Sequence, residues 1–221
     1  GSHSGASPKA VTRWLAGLAK ARRPQVAAGL LCALRAAGAE VNAFHYGAVI
    51  SACEKGGLWE KACELLGTMA EEKVESNSIF YGTAVNACAK RGAWAAALGL
   101  LDAMEELGVG RNAIVHGGAI SACERGGEWA AALELLRTMA MDEVARDTIA
   151  FNTAISACGK GGQWATALAL LDEMPRAAVA RDTVSFNAAL SACDRAAQWA
   201  AALGLLERMP EAGARRDAVS F

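Results

Sequence analysis

The sequence predicts an all-α protein, a right-handed α-solenoid superhelix of stacked helix-turn-helix hairpins. The first observation is composition: 53% of residues are hydrophobic but only 6% are aromatic, and Ala, a strong helix former, dominates the apolar content. The second observation is a repeat of 35 residues, a period typical of solenoid arrays. Three residue types recur at this interval: Trp59, Trp94, Trp129, Trp164 and Trp199; Cys53, Cys88, Cys123, Cys158 and Cys193; Met69, Met104, Met139, Met174 and Met209.

The repeats fill the chain without linkers. Five copies run over residues 43–77, 78–112, 113–147, 148–182 and 183–217. A divergent copy, 8–42, precedes them, with Pro24 in place of the Trp. Residues 1–7 resemble the remnant of an expression tag, and 218–221 begin a further, truncated copy. Because solenoids need polar caps, we expect a truncated array or helical residues beyond Phe221, and a tendency to end-to-end self-association through the uncovered last hairpin.

Each copy contains two helical patterns separated by a turn. In 148–182 the apolar residues of the first pattern follow the i, i+3, i+4, i+7 spacing of an amphipathic helix: Phe151, Ala154, Ile155 and Cys158. The second pattern continues that spacing: Trp164, Ala167, Leu168, Leu171 and Met174. The pair Gly161–Gly162 predicts the tight turn between them, and Asp147 lies where an N-cap belongs.

We assign the Trp, Cys and Met columns to packing. Equivalent cysteines lie on successive hairpins, separated by at least one helix-packing distance of about 8–10 Å. Zinc ligands converge on one ion at about 2.3 Å, so neither a zinc site nor a disulfide ladder within the column fits. His45 and His116 lie in the apolar start of the first helix, where we expect packing rather than metal ligation. No cofactor is expected.

Charge and hydropathy exclude two classes of protein. With 22 Lys and Arg against 23 Asp and Glu, the net charge is -1, which argues against binding nucleic acid or membranes by bulk charge. The longest uncharged run, 76–89, has 14 residues, whereas a membrane-spanning helix needs about 18. No membrane partner is therefore expected.

A second stripe of residues on the first helix repeats without a packing reason. In 148–182 it consists of Ile149, Asn152, Ser156 and Lys160, which lie within about 60° of one another around the helix. Its apolar second position in each repeat, the wedge column, contains Phe44, Ile79, Ile114, Ile149 and Val184. The thirteenth position, the basic column, contains Lys20, Lys55, Lys90, Arg125, Lys160 and Arg195. The last position, the cap column, contains Asn42, Asn77, Asn112, Asp147, Asp182 and Asp217.

Two interpretations of the basic and cap columns are open. Helix capping and the helix dipole alone would favour an amide or carboxylate before a helix and a cation in its last turn. A basic residue in all six copies also predicts a positive ridge that meets phosphates. An apolar residue beside an amide or carboxylate suits a nucleic-acid base, which has a flat face and a polar edge. We expect the acidic residues to lie on the outer helices and loops, away from this ridge.

The period, the paired helices, the Leu-Leu-x-x-Met end of the second helix and the terminal Asp resemble the pentatricopeptide repeat family in its P-type form. The resemblance covers residues 8–221 and implies a single-stranded RNA partner in a chloroplast or mitochondrion, read at one base per repeat. It implies base selection by the fifth and last residues of each repeat: Thr12 with Asn42, Gly47 with Asn77, Gly82 with Asn112, Gly117 with Asp147, Asn152 with Asp182, and Asn187 with Asp217. It also implies that the wedge column separates the bases and that the basic column contacts the phosphates.

The family's base code implies the target 5′-A-(A)-(A)-(G)-U-U-3′, with brackets at the repeats whose fifth residue is Gly. Thr with Asn favours adenine and Asn with Asp favours uracil; the bracketed bases assume that Gly acts as the small Ser of the code. Gly47, Gly82 and Gly117 also weaken their helices by about 0.5–1 kcal/mol each relative to Ala. Either close approach of RNA or helix packing needs the space that the missing side chain leaves, or these repeats accept several bases.

Two other functions remain open on the sequence alone. An α-solenoid also serves as a scaffold for protein partners, which bind its concave face. The array is also compatible with the RNA-recognising part of a longer RNA-processing enzyme. Within these residues there is neither a His-x-Glu with Cys-x-x-Cys for a deaminase zinc nor a carboxylate cluster for a metal nuclease, so we expect no catalysis by this part.

Overall fold

The computed structural model describes residues 8–217, which form twelve α-helices arranged as six hairpins. The helices are α1 (Pro8–Lys20), α2 (Pro24–Ala36), α3 (Ala43–Gly56), α4 (Trp59–Glu71), α5 (Ser78–Arg91), α6 (Trp94–Glu106), α7 (Ala113–Gly126), α8 (Trp129–Met141), α9 (Thr148–Lys160), α10 (Trp164–Glu173), α11 (Thr183–Arg195) and α12 (Trp199–Glu211). The prediction of an all-α solenoid of hairpins is confirmed. The tag remnant, 1–7, and the start of a further copy, 218–221, lie outside the described residues.

The chain divides into two compact units between Arg111 and Asn112. The first unit contains α1 to α6 and the second contains α7 to α12, so each holds three hairpins. Within each unit the first helices of successive hairpins pack side by side, as α3 does with α5 and α9 with α11. None of the helices described is long and apolar enough to cross a lipid bilayer.

The cap column starts the first helix of each following hairpin. Asp147 Oδ1 accepts a hydrogen bond of 2.8 Å from the backbone N–H of Ala150, and Asp182 Oδ1 accepts one of 2.8 Å from Ser185. Asn42, Asn77 and Asn112 cap their helices in the same way. Each such cap satisfies an N–H group that would otherwise lack a partner, and stabilises the helix by about 1 kcal/mol.

Each hairpin uses two left-handed backbone positions, one after each helix. They recur with the period of the repeat and have φ between 51° and 82°: positions 22, 57, 92, 127, 162 and 197 after the first helix, and 38, 73, 108, 143, 178 and 213 after the second. Gly occupies four of the six inner turns, which include the predicted Gly161–Gly162 turn. Arg22 and Ala197 adopt the same conformation with a side chain, which costs each of them about 1–2 kcal/mol.

The Cys and Met columns form the core, as predicted. All five cysteines of the column have no exposed surface, and the five methionines are at most 1% exposed. Burial raises the pKa of Cys53, Cys123 and Cys158 to about 11, so these thiols stay protonated at neutral pH. The column cysteines therefore act as small apolar side chains.

Trp129, a member of the Trp column, packs on the turn of the next hairpin. A Cβ atom added to Gly161 would lie only 2.2 Å from Cδ1 of Trp129, so this contact needs Gly. Pro24, which replaces Trp in the divergent repeat, lies against Gly56 in the equivalent way, with Cγ at 2.4 Å from the same hypothetical atom. Trp199 begins the last described helix and is 74% exposed.

The left-handed conformation of Ala197 predicts that Ala197→Gly stabilises the protein. Gly removes the cost of the Cβ atom but loses more chain entropy on folding, so the free energy of unfolding should rise by about 0.5–1 kcal/mol. Urea denaturation followed by circular dichroism measures this change. The matched control is Ala196→Gly, one residue earlier at φ -94°, which should lower the free energy of unfolding. Equal effects of the two substitutions would contradict the assignment.

Candidate nucleic-acid interface

The wedge column is a row of exposed apolar side chains. Phe44 is 76% exposed, Ile79 71%, Ile114 68%, Ile149 72% and Val184 59%. A single exposed apolar residue needs no explanation, but the same position is exposed in five consecutive repeats. Such a row of exposed apolar side chains is a surface that a ligand with flat apolar faces could cover.

The structure brings the fifth and last residues of two repeats together. Asn152 Nδ2 donates a hydrogen bond of 3.2 Å to Asp182 Oδ1, and Asn187 Nδ2 donates one of 3.0 Å to Asp217 Oδ1. These members of each pair are 30 residues apart in sequence. The two predicted uracil-selecting pairs are therefore spatial neighbours at the start of the first helix.

Asp182 is held in its ionised form. Burial raises the pKa of its carboxyl group, but the hydrogen bonds that it accepts from Ser185, Asn152 and Val184 outweigh burial and lower the pKa below its ordinary value. Asn152 Oδ1 is buried and accepts no hydrogen bond from any described residue. The pair thus contains a carboxylate in the groove and a buried amide oxygen that lacks a donor among the described residues.

The glycine repeats differ from one another. A Cβ atom on Gly47 would lie 2.4 Å from Cε1 of Phe80, so packing of the next hairpin explains this Gly. No atom lies within 4 Å of the equivalent position on Gly117, so packing does not require Gly there. Gly82 is buried in α5 and its predicted partner Asn112 belongs to the other unit. In the divergent repeat, Thr12 is half-buried and Asn42 is exposed.

All six members of the basic column are exposed at the ends of their helices. Two of them form ion pairs with the preceding hairpin: Lys90 with Glu54, and Lys160 with Glu124 at 2.6 Å. Glu124 also accepts a hydrogen bond of 2.9 Å from Ser156. Among residues 11–217, no carboxylate pairs with Lys20, Lys55, Arg125 or Arg195. The basic column therefore contains two residues paired with carboxylates and four residues without such a partner among residues 11–217.

These ion pairs correct one expectation. We expected the acidic residues on the outer helices and loops, but Glu54 and Glu124 lie on first helices, next to the basic column. The sequence does contain the signal, because the twelfth position of each repeat alternates between small and acidic residues: Ala19, Glu54, Ala89, Glu124, Gly159 and Asp194. Glu54 and Glu124 contact the thirteenth residue of the next repeat, a relation visible only after the hairpins stack.

In the second unit, residues of the wedge, cap and basic columns and the fifth residues of two repeats line an open groove of about 590 Å³. Its walls include the wedge residues Ile149 and Val184, the fifth residues Asn152 and Asn187, the carboxylates Asp182 and Glu124, and the cation Arg125. The size is within the range of ligand sites, about 300–1,000 Å³. Apolar, amide, acidic and basic groups thus converge on one surface.

His45 and His116 have no role in this surface. They are 1% and 0% exposed, and the Nδ1 atom of each lies within hydrogen-bond distance of the backbone of its own cap residue, Asn42 or Asn112. This agrees with the expected packing role. Among the residues with described side chains, no group of three or more His, Cys, Asp or Glu could hold a metal ion.

The sequence matches two family profiles. One, described as the PPR repeat family, matches residues 146–193, and the other, described as the PPR repeat, matches 44–74 and 79–109. The chain belongs to the pentatricopeptide repeat family. No curated protein sequence matches it.

Several solved structures share its fold. The crystal structure of PPR10 from maize aligns with a TM-score of 0.72 at 24% identity over 96% of this chain, which spans only 30% of the maize protein. The PPR domain of Arabidopsis thaliana protein-only RNase P 1, solved in complex with tRNA, aligns with a TM-score of 0.65 at 13% identity over 77% of this chain and 90% of that domain. Nuclear proteinaceous RNase P 2 from A. thaliana aligns with a TM-score of 0.70 at 11% identity, over 91% and 42%.

The different surroundings of Gly47 and Gly117 predict opposite effects of Ala. Gly117→Ala should raise the free energy of unfolding by about 0.5–1 kcal/mol because Ala favours the helix and meets open space. Gly47→Ala should lower it by about 1 kcal/mol because the ring of Phe80 must move. Thermal and urea denaturation measure both changes. In a Phe80→Ala background Gly47→Ala should become stabilising, and a persistent loss there would contradict the assignment.

Proposed function

We propose that this chain binds single-stranded RNA with a sequence preference, reading about one base per repeat without catalysing a reaction. The observation that carries the proposal is the groove of the second unit, where the Asn152–Asp182 pair lies with the exposed wedge residues Ile149 and Val184. An aliphatic side chain on each side suits the two faces of a base, and the amide and carboxylate suit its edge. The RNA complexes of related folds, such as PPR10 bound to an 18-nt psaJ RNA element, support the same partner class.

Recognition of the base edge would use the acceptors of the pair. A uracil offers one N–H donor on its Watson–Crick edge, and the Asp182 carboxylate and Asn152 Oδ1 are both acceptors in this groove. A buried acceptor without a partner costs about 1–3 kcal/mol, so a base that bonded Asn152 Oδ1 after a small side-chain rotation would recover that cost. This recovery would favour a base with an N–H donor on that edge, such as uracil, at the repeat 148–182.

The complete proposed target is 5′-A-(A)-(A)-(G)-U-U-3′, read from Thr12 with Asn42 to Asn187 with Asp217. The three bracketed bases depend on repeats whose fifth residue is Gly. Occupying such a segment would stabilise a transcript, guide its processing or expose a translation start without any catalytic step. By family, we place this activity in a chloroplast or mitochondrion.

Phosphate contacts would come chiefly from the unpaired members of the basic column. Lys20, Lys55, Arg125 and Arg195 present their charge to solvent, whereas Lys90 and Lys160 are neutralised by Glu54 and Glu124. Few phosphate contacts imply a shallow salt dependence, since each contact adds only about 0.7 to the slope for a single strand. Weak bulk attraction then leaves the bases to decide which RNA is bound.

Binding to short synthetic RNAs tests the proposal. The single strand AAAGUU should bind more tightly than a cytosine hexamer and than the same sequence in a duplex, as measured by fluorescence anisotropy. Asn152→Ser should lower the affinity for AAAGUU by about tenfold, since a mismatched base costs about 1–3 kcal/mol. Changing only the fifth base of the RNA to G should restore the affinity of this variant.

Asn187→Ser is the matched control for that substitution. It removes the same side chain from the same position of the next repeat, and should shift preference only at the sixth base. Equal losses on every RNA from both variants, or equal binding of all three wild-type ligands, would refute base reading by these pairs.

The ion pair between Lys160 and Glu124 gives a further prediction. Glu124→Gln should tighten every RNA roughly threefold to tenfold and steepen the salt slope by about 0.7, because it releases one cation for a phosphate. Glu134→Gln, on the outer helix α8, makes the same charge change away from the groove and serves as the control. The double variant Glu124→Gln, Lys160→Ala should bind like wild type. An unchanged affinity for Glu124→Gln would show that Lys160 does not lie on the RNA path.

A further inference from the structure

One cysteine stands outside the repeating column and next to a member of it. Cys63 lies on α4 and Cys88 on α5, and their Sγ atoms are 3.9 Å apart, within hydrogen-bond distance for sulfur. The equivalent position in four other repeats is Leu: Leu98, Leu133, Leu168 and Leu203. The helix-packing distance excludes disulfides only within the column, and the spacing in sequence does not pair these two residues.

We propose that Cys63 and Cys88 form a reversible disulfide that links the second helix of repeat 43–77 to the first helix of repeat 78–112. The sulfur atoms must approach by about 1.9 Å to reach the bonded distance of about 2.05 Å. The Cys63 side chain is only half-buried, and we expect its rotation to supply this movement. Both residues belong to the first unit.

A cavity gives reagents access to Cys63. It has a volume of about 300 Å³ and is lined by Cys63 and mostly small or apolar residues of α4 and α6, such as Gly67, Ala70 and Ala103. No atom lies within 4 Å of a Cβ position on Gly67, so the approach beside Cys63 is open. The column cysteines have no exposed surface and lack such access.

The hydrogen bond between the thiols makes their reactivity unequal. The bond from Cys88 lowers the pKa of Cys63, and the same bond, with burial, raises the pKa of Cys88. The thiolate, which is the nucleophile, therefore forms first on the accessible residue. Cys63 attacks, and Cys88 resolves the intermediate.

The oxidant that we name is a small disulfide such as oxidised glutathione. The Cys63 thiolate attacks one sulfur, forms a mixed disulfide and releases one glutathione thiolate. Cys88 then gives its proton to solvent and attacks Cys63 Sγ, which forms the Cys63–Cys88 bond and releases the second thiolate. Two protein thiols are oxidised, one glutathione disulfide is reduced, and the two protons pass to the released thiolates.

The cross-link would fix the stacking of two neighbouring hairpins. It closes a loop between residues 25 apart in sequence and so restricts the unfolded chain. We expect oxidation to raise the melting temperature of the protein, and dithiothreitol to reverse the rise. The proposal does not depend on RNA binding.

Oxidation followed by peptide mapping tests the bond. All proteins carry Cys32→Ser, because Cys32 is exposed and would join two molecules. After treatment with oxidised glutathione, non-reducing tryptic digestion should yield peptide 62–73 joined to peptide 74–90, and thiol titration should show a loss of two of the six remaining thiols. Separate peptides, or glutathione retained on Cys63, would overturn the proposal.

Cys63→Leu is the variant of choice because Leu fills this position in four other repeats, so the hairpin keeps its packing. It should retain all five of its thiols under the same oxidation and show no change in melting temperature. Cys123→Ser, in the other unit, is the control and should form the 62–73 to 74–90 link as wild type does. A rise in melting temperature that persists in Cys63→Leu would also contradict the assignment.

Discussion

The stacking of one hairpin on the next is the interaction on which the other features depend. Two helices of this length cannot bury their apolar faces alone, so each hairpin shares its core with its neighbours. The buried Cys and Met columns supply that core, and Trp129 against Gly161 shows how closely one hairpin meets the turn of the next. Once the apolar face is committed to stacking, the opposite face of each first helix is left to solvent and to ligands.

The proposed recognition site is tied to this stacking through the cap column. Asp182 ends one repeat, caps the first helix of the next and accepts a hydrogen bond from Asn152. One carboxylate therefore connects helix initiation, the junction of two hairpins and the polar edge of the groove. The two interpretations of this column, capping and base recognition, are compatible, because the carboxylate that caps the helix also lines the groove.

The positive charge of the proposed interface is reduced by neighbouring carboxylates, and the net charge of the whole chain is also close to zero. The acidic residues that balance the total charge include direct partners of the basic column, such as Glu124 with Lys160. A chain that neutralises part of its own cationic ridge lowers its attraction for any polyanion. In the proposed function, discrimination would then depend on side chains at the base edge, such as the Asn152–Asp182 pair.

The order of residues along the chain was enough to predict the period, the helices and the face that each residue occupies. Regular spacing was sufficient for this, because Ile149, Asn152 and Lys160 share a helix whose geometry is known in advance. Contacts between hairpins were decided only by the tertiary structure: Phe80 over Gly47, Glu124 with Lys160, and Cys63 beside Cys88. Each joins residues 25 to 36 positions apart, and depends on how closely two helices approach and which way their side chains turn. A repeat pattern specifies that hairpins stack, but it does not encode those distances, since small departures such as Gly for Asn or Cys for Leu change them locally.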